Sequence, residues 1–385
     1  MLQTIRVNRK AAERVASGHP WIFSSDVIDR GQAARGDAVL VVDHKGAAIG
    51  TAHYSDSSQI SLRMLTDRAE TIDRAFYLRR LANADGYRKR VVAGSNAYRL
   101  VHGEGDQLPG LVIDRYGGYF TLQTLDQGMD RAKVEIVSCL EEMFAPKGIV
   151  ERNDVAVRKR ESLPLESGVL AGEAPEAVMV EMNGLKFFAD LLHGQKTGIY
   201  LDQRENYVAA ARYAGGRALD CFTSTGGFAL HLATKCESVE AVDSAEATLK
   251  MAERNRAANG IGNVEFREAD VFDLLAGYAQ AHRRFDTVVL DPPAFAKSRG
   301  SLDAALRGYK EINRRALQLL GSGGVLVTCS CSHHVSEAML LEIVAEASLD
   351  TNRKLRILER RTQSQDHPIL LTVPETLYLK CLILE

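Results

Sequence analysis

The chain has 385 residues, of which 45% are hydrophobic and 25% charged, and its net charge is −2. This is ordinary globular composition in a chain too long for one core, so two or three domains are expected. The near-neutral balance excludes nucleic-acid binding by bulk charge and leaves only local basic grooves. The six cysteines are scattered and none has CxxC spacing, and there is neither an apolar leader nor a membrane-length run, so a reducing cytoplasm, no membrane and no metal are expected.

Residues 1–72 read as a small β-rich module, with strands over 38–42, 47–52 and 60–65 set off by Gly and Asp turn signals. The single tryptophan, Trp21, lies in Gly18-His19-Pro20-Trp21-Ile22-Phe23 and reads as a buried anchor, with a base-stacking platform as the alternative. Residues 73–189 read as a central α/β unit. It has helices over 71–81 and 129–144, a hairpin over 111–125, a strand from Gly148 and a loop over 162–175. A second hairpin turns on Asn183-Gly184. An exposed edge strand in this unit would support a homodimer. Basic clusters occur at Arg79, Arg80, Arg88, Lys89, Arg90 and Arg99, and again at Arg158-Lys159-Arg160; solvated faces and an RNA-binding surface are both open for them.

Residues 190–385 alternate strand and helix, which implies a right-handed, mostly parallel sheet of Rossmann-like type in an α/β fold. Strands are expected over 218–221, 239–242, 264–266, 287–290, 325–328 and 355–359, with a late run over 377–383 closing an edge. Helices are expected over 228–234, 245–259, 302–320 and 335–347. Acidic residues follow successive strands: Asp220, Asp243, Asp270 and Asp291. Thr225-Gly226-Gly227 turns from the first strand into a helix, where glycine permits close ligand approach and a helix N-terminus offers N–H groups. Asp243 is placed to bond ribose hydroxyls and Asp270 to meet an adenine amine. Four carboxylates oppose a pyrophosphate and suit a sulfonium with an amino-acid tail, so S-adenosylmethionine is favoured over a dinucleotide. Taken singly, each Asp would also serve as a solvated strand cap.

With these residues in view, the third unit resembles a class I methyltransferase. The whole chain resembles the RlmI family of bacterial large-subunit ribosomal RNA 5-methylcytosine methyltransferases, which have a PUA RNA-binding domain, a central α/β domain and a methyltransferase domain. The resemblance rests on Gly18–Phe23, Gly103–Leu111, Lys196–Arg204, Cys221–Phe228, Asp291–Ser298, Ser330-Cys331-Ser332, and His367-Pro368 through Pro374-Glu375 to Tyr378-Leu379-Lys380. It implies ribosomal RNA as partner and S-adenosylmethionine as cofactor. It also implies that Gln195, Lys196, Thr197, Tyr200, Asp202 and Arg204 line the methionine end, with Asp220, Phe222, Thr225, Gly226, Gly227, Asp243, Ser244, Asp270 and Asp291 completing the cofactor site.

Carbon 5 of a pyrimidine is a poor nucleophile until a thiolate adds at carbon 6, and a base must later remove the carbon 5 proton. Cys331 is assigned as that nucleophile because the family's Ser-Cys-Ser triplet falls there, with a helix from Val335 supplying a favourable field. Cys329 and Cys331 are read as pointing to opposite faces of the strand, so only one of them is expected to face a given pocket, and Cys329 suits a buried strand position. Asp291-Pro292-Pro293 is a stiff turn able to grip an exocyclic amine. Ala294 follows it, which disfavours a two-cysteine mechanism. Glu375 is the candidate proton acceptor, by resemblance to the C-terminal carboxylate of RNA uracil-5 methyltransferases. Uracil-5 methylation, and exocyclic-amine methylation at Asp291-Pro292-Pro293 without a cysteine, are the alternative chemistries.

Overall fold

The computed structural model describes residues 2–296, 300 and 302–385. By its internal contacts the chain forms two compact units, each built from separated segments. One is Met1–Val180 with Ala189–Ile199 and Gln365–Thr376. The other is Glu181–Phe188 with Tyr200–Ser364 and Leu377–Glu385.

The first unit holds two sheets, each with its own core. The N-terminal sheet has six strands in the order Trp21–Phe23, Ile60–Thr66, Ala48–Tyr54, Ala38–Val42, Gln3–Val7, Val27–Asp29. Ile5, Ile22, Val39, Val41 and Leu62 fill its core. The second sheet has five strands, Ser167–Gly172, Gly148–Arg152, Tyr119–Thr124, Leu111–Tyr116 and Ala97–His102, covered by helices Arg74–Val91 and Lys133–Phe144. Three sequence expectations change here. The helix expected over 71–81 starts at its Asp73 N-cap and runs on to Val91. The helix expected over 129–144 is two, Gln127–Arg131 and Lys133–Phe144. The loop expected over 162–175 contains the edge strand Ser167–Gly172.

The basic clusters are largely consumed inside this unit. Arg88 is fully buried, forks onto Asp106 and donates to the Asp366 carbonyl. Arg99 forks onto Asp114, and Arg79 pairs with Glu70. Arg158 is also fully buried and holds Asp130 and the Pro164 carbonyl. Trp21 is half-buried rather than fully buried; its indole N–H donates to Glu104 at 2.8 Å and its ring meets His19 edge-on.

The second unit is a seven-stranded sheet between helices. In chain order its elements are α1 (Arg204–Tyr213), β1 (Arg217–Cys221), α2 (Gly227–Leu232), β2 (Ser238–Asp243), α3 (Glu246–Ala258), β3 (Val264–Glu268), α4 (Val271–Gln280), β4 (Phe285–Leu290), α5 (Leu302–Leu319), β5 (Leu320–Ser330), α6 (Glu337–Asp350), β6 (Ile357–Arg361) and β7 (Lys380–Leu384). Strand order is β3-β2-β1-β4-β5-β7-β6. The first five strands are parallel, and β7 inserts antiparallel between β5 and β6. The order reverses between β1 and β4, so the carboxyl ends of those strands border a switch-point crevice. Their near-continuous apolar runs are those of strands buried on both faces, and Leu219, Val288, Leu290 and Leu326 are fully buried in the core. Among the described residues no helix is long and apolar enough to cross a membrane.

Candidate active site

Strand β5 carries the cysteines to the crevice and ends at Ser330. Cys329, inside the strand, is fully buried opposite Cys381 of β7, and burial beside that second thiol pushes its own thiol well up. Strand alternation does not separate it from Cys331, since residues two apart share a face; the end of the strand does. Ser330 at that end and Ser332 beyond it are both buried, and each hydroxyl lies 3.0 Å from the Tyr309 hydroxyl of α5. The Ser332 hydroxyl also accepts from the Ala296 N–H. Cys331 lies between these two serines, part-exposed, with Sγ 3.9 Å from the Pro292 carbonyl oxygen. Of the six cysteines the other five are buried. The field expected from a helix starting at Val335 is displaced: α6 starts at Glu337, and the Ser336 hydroxyl caps it by accepting from Met339 N–H.

The four carboxylates all stand at or beyond strand ends, with different partners. Asp220, in β1, is fully buried. Its Oδ2 accepts from the Thr223 hydroxyl at 2.6 Å and the Ala229 N–H at 3.0 Å, while the buried Oδ1 has no hydrogen-bond partner. Burial pushes its pKa up to about 7, with Asp291 adding to the rise. Asp243, at the end of β2, accepts from Ser224 N–H and Ala245 N–H, which locks the turn after β1 to the turn after β2. Asp270 is exposed and caps α4, accepting from Phe272 and Asp273 N–H groups. Asp291, after β4, accepts from the Gln203 amide at 3.0 Å.

Phe222 and Ser224 both take positive φ, and Gly226 follows at φ 86, so the turn after β1 is tightly folded. A Cβ on Gly227 would lie 2.4 Å from the Tyr207 ring of α1. Because α2 has only six residues, the glycines serve close packing rather than a long helix dipole. Thr225 lends its carbonyl to the Asn255 amide, and Ser244 is exposed after β2.

The block expected at the methionine end divides between the two units. Gln195 and Lys196 are exposed in the first unit, and Thr197 there is buried, donating to Asp114 at 2.5 Å and lying 2.9 Å from the Tyr116 hydroxyl. In the second unit Asp202 is buried and accepts from the Tyr378 hydroxyl at 2.8 Å, and Arg204 opens α1. Burial pushes the Tyr200 phenol above the usual range, and Asp291, Asp202 and Cys331 nearby add to the rise. Glu375 belongs to the first unit, in a short 3₁₀ turn, with a carboxylate oxygen 3.3 Å from His19 Nε2. Of the Asp291–Ser298 stretch, Lys297 and Ser298 lie outside the described residues. The sequence reading gave Tyr309 no place at the candidate site, and Gln203 only as an unassigned member of the Lys196–Arg204 stretch. Neither stands in a strand-end position, and only the folded contacts reveal them.

An orphaned carboxylate oxygen buried at the strand end beneath the crevice is a costly feature unless a donor or a positive charge lies near it. A sulfonium cofactor fits that requirement. Comparison with known proteins agrees: residues 136–382 match a family of S-adenosylmethionine-dependent methyltransferases, and residues 5–67 match a PUA-like domain. The protein called ribosomal RNA large subunit methyltransferase I is 43% identical in Klebsiella pneumoniae, covering 94% of this chain and 93% of that one. Its counterpart in Shewanella amazonensis is 44% identical, covering 95% and 94%. The chain belongs to the ribosomal RNA large subunit methyltransferase I family. Family membership makes it an S-adenosylmethionine-dependent methyltransferase with an N-terminal PUA-like domain. Two solved structures share the fold over 100% of both chains at 21% identity. One is a candidate SAM-dependent methyltransferase from Streptococcus mutans (TM-score 0.83), the other a candidate methyltransferase complexed with SAH (TM-score 0.85).

Proposed function

We propose that this protein methylates carbon 5 of a cytosine in large-subunit ribosomal RNA, through a covalent adduct of Cys331 at carbon 6. The relatives' names supply the RNA class. One observation carries the chemistry: Cys331 is the sole part-exposed thiol among six, held at the crevice beside Asp291-Pro292. S-adenosylmethionine, when bound, supplies a methyl group on a positive sulfonium and leaves as the neutral thioether; Asp220, Asp243, Asp270, Asp202 and the Phe222–Gly227 turn are the residues assigned to hold it.

Cys331 Sγ forms a bond to carbon 6 of the base, and the displaced electron pair makes carbon 5 nucleophilic. Once carbon 5 carries the methyl group, a base takes its proton, the carbon 5–carbon 6 double bond re-forms and the thiolate leaves. Glu375 is assigned as the proton acceptor on the family resemblance. The Pro292 carbonyl is a hydrogen-bond acceptor beside Sγ, and the Asp291 carboxylate precedes it in the chain. They complement the exocyclic amine of cytosine and oppose the carbonyl of uracil, which favours cytosine over the uracil alternative. The target nucleotide must be unpaired or flipped out of its helix to reach this site.

The test is methyl transfer from labelled S-adenosylmethionine to ribosomal RNA lacking the modification, with wild type and Cys331→Ala, followed by nucleoside mass spectrometry. We expect 5-methylcytosine from the wild type and a loss of at least about a thousandfold in the variant. Retained activity, or a methyl group on an exocyclic amine, would assign the chemistry to Asp291-Pro292-Pro293 instead.

A further inference from the structure

Lys380 opens β7, the strand that inserts antiparallel beside β5. Its backbone pairs with Ser330, the residue before Cys331. Its buried ammonium donates to the carbonyl of Ser332, the residue after Cys331, at 2.7 Å, and to the Tyr378 carbonyl at 2.9 Å. One lysine therefore brackets the candidate nucleophile from both sides. Tyr309 adds a second restraint by gathering both serine hydroxyls, which fixes the two residues flanking Cys331.

A lysine with its ammonium buried is expensive, because charge is being taken out of water. Two carbonyl oxygens offset part of that cost but carry no full negative charge. A thiolate at the neighbouring residue would. We propose that Lys380 is a positioning residue for methyl transfer: its buried ammonium stabilises Cys331 as the thiolate and holds it at the crevice. The inference deepens the covalent reading and rests on it.

Among the described residues, Tyr200 before α1, Tyr309 on α5 and Lys380 on β7 interact with Cys331, Asp291 after β4 lies near both tyrosines, and His333 follows two residues on. The aspartate opposes a thiolate and the phenols are pushed further into their neutral form by burial, so among these groups the lysine is the one that attracts it. Burial draws the lysine down to about 8 while Cys331 pulls it back up. The ammonium is thus present through neutral pH and lost above about pH 8, which sets the range in which it assists the thiol. A helix N-terminus is the common source of such a field, but α6 starts too late and its first turn is capped by Ser336.

The test reads the thiol rather than turnover. The rate of Cys331 alkylation by iodoacetamide is followed against pH in the full-length wild type, Lys380→Met and Lys380→Arg, with Cys331→Ala as blank. We expect Lys380→Met to move the alkylation profile to higher pH and slow the reaction at neutral pH by about tenfold or more, one pKa unit being a factor of ten. Lys380→Arg keeps the charge and should restore most of the rate. A folded Lys380→Met whose profile superimposes on the wild type would overturn the proposal. If Lys380→Met does not fold, linkage provides the same test from the other side. The Lys380 ammonium, titrated by NMR, must fall in pKa when Cys331 is replaced by Ser, and an unchanged titration would refute the pairing. These readouts are independent of whether Cys331→Ala retains methyl transfer, so failure of the covalent reading is separately visible.

Discussion

Asp220 is a single side chain that is poor for the fold and that we assign to the cofactor site. Its folded pKa is about 7 against 3.8 for a free aspartate, raised mainly by burial. The sign follows directly. Between those two values the native state holds a proton that the unfolded chain has lost, so stability falls as pH rises through the window, and the full cost stands above pH 7. Asp220→Asn keeps an acceptor for the Thr223 hydroxyl and Ala229 N–H and removes the charge. Relative to wild type, the cofactor-free variant should gain stability of about 2 kcal/mol on going from about pH 5 to about pH 8. It should bind S-adenosylmethionine more weakly at the higher pH, because the sulfonium would lose its counter-charge. Thermal melts with and without cofactor at both pH values check this; equal pH slopes for the two proteins would place the titration elsewhere. Asp220 was legible in the sequence because strand-end acids are a local signal. Lys380 was not, because its meaning depends on a distant strand inserting antiparallel beside β5.

At the scale of elements, the alternation of strand and helix in residues 204–384 was readable, but two helices escaped. Helix α1 buries Arg204, Asn206, Tyr207, Ala209, Ala210 and Ala211, nearly all round, so no clean polar face marks it. Helix α4 was hidden because its N-cap, Asp270, was read as a ligand for adenine. The edge strand Ser167–Gly172 passed for a loop because it carries glycines and an exposed face. The hairpin at Asn183-Gly184, by contrast, matched because both residues take the positive φ that its tight turn demands. The packing of α1 on α2 yields a prediction of its own. Gly226 and Gly227 are adjacent but needed for different reasons: Gly226 for its φ of 86, Gly227 because a Cβ would strike Tyr207. Each change to Ala should destabilise by about 1–3 kcal/mol. Adding Tyr207→Leu should be less costly in the Gly227→Ala background than in wild type or Gly226→Ala. Additive losses in a double-mutant cycle would show that Tyr207 is not the obstacle.

The whole molecule is threaded so that its two units cannot be separated by one cut. The chain leaves β6, enters the first unit over residues 365–376, and returns to form β7, the strand that carries Lys380. What holds the excursion is mostly polar: Arg88 to the Asp366 carbonyl, Arg99 N–H to the Asp366 carboxylate, Tyr87 hydroxyl to the Gln365 carbonyl, and Thr372 hydroxyl to the Gly18 carbonyl. Arg88 is central, since its fork on Asp106 and its bond to Asp366 are made by one fully buried guanidinium. Removing one partner of a buried ion pair strands the other, at a cost of about 3–5 kcal/mol. Arg88→Met should therefore loosen two stretches distant in sequence, the 3₁₀ turn Gly103–Asp106 and residues 365–376. Hydrogen exchange in the full chain should show faster amide exchange in both, with β1 and β4 unchanged. If only the Gly103–Asp106 turn loosens, the excursion is held by its remaining bonds and Arg88 is a local support. If both loosen and Cys331 alkylation also slows, the excursion and β7 are coupled through the chain. Docking of a segment in the first unit would then bear on the thiol in the second.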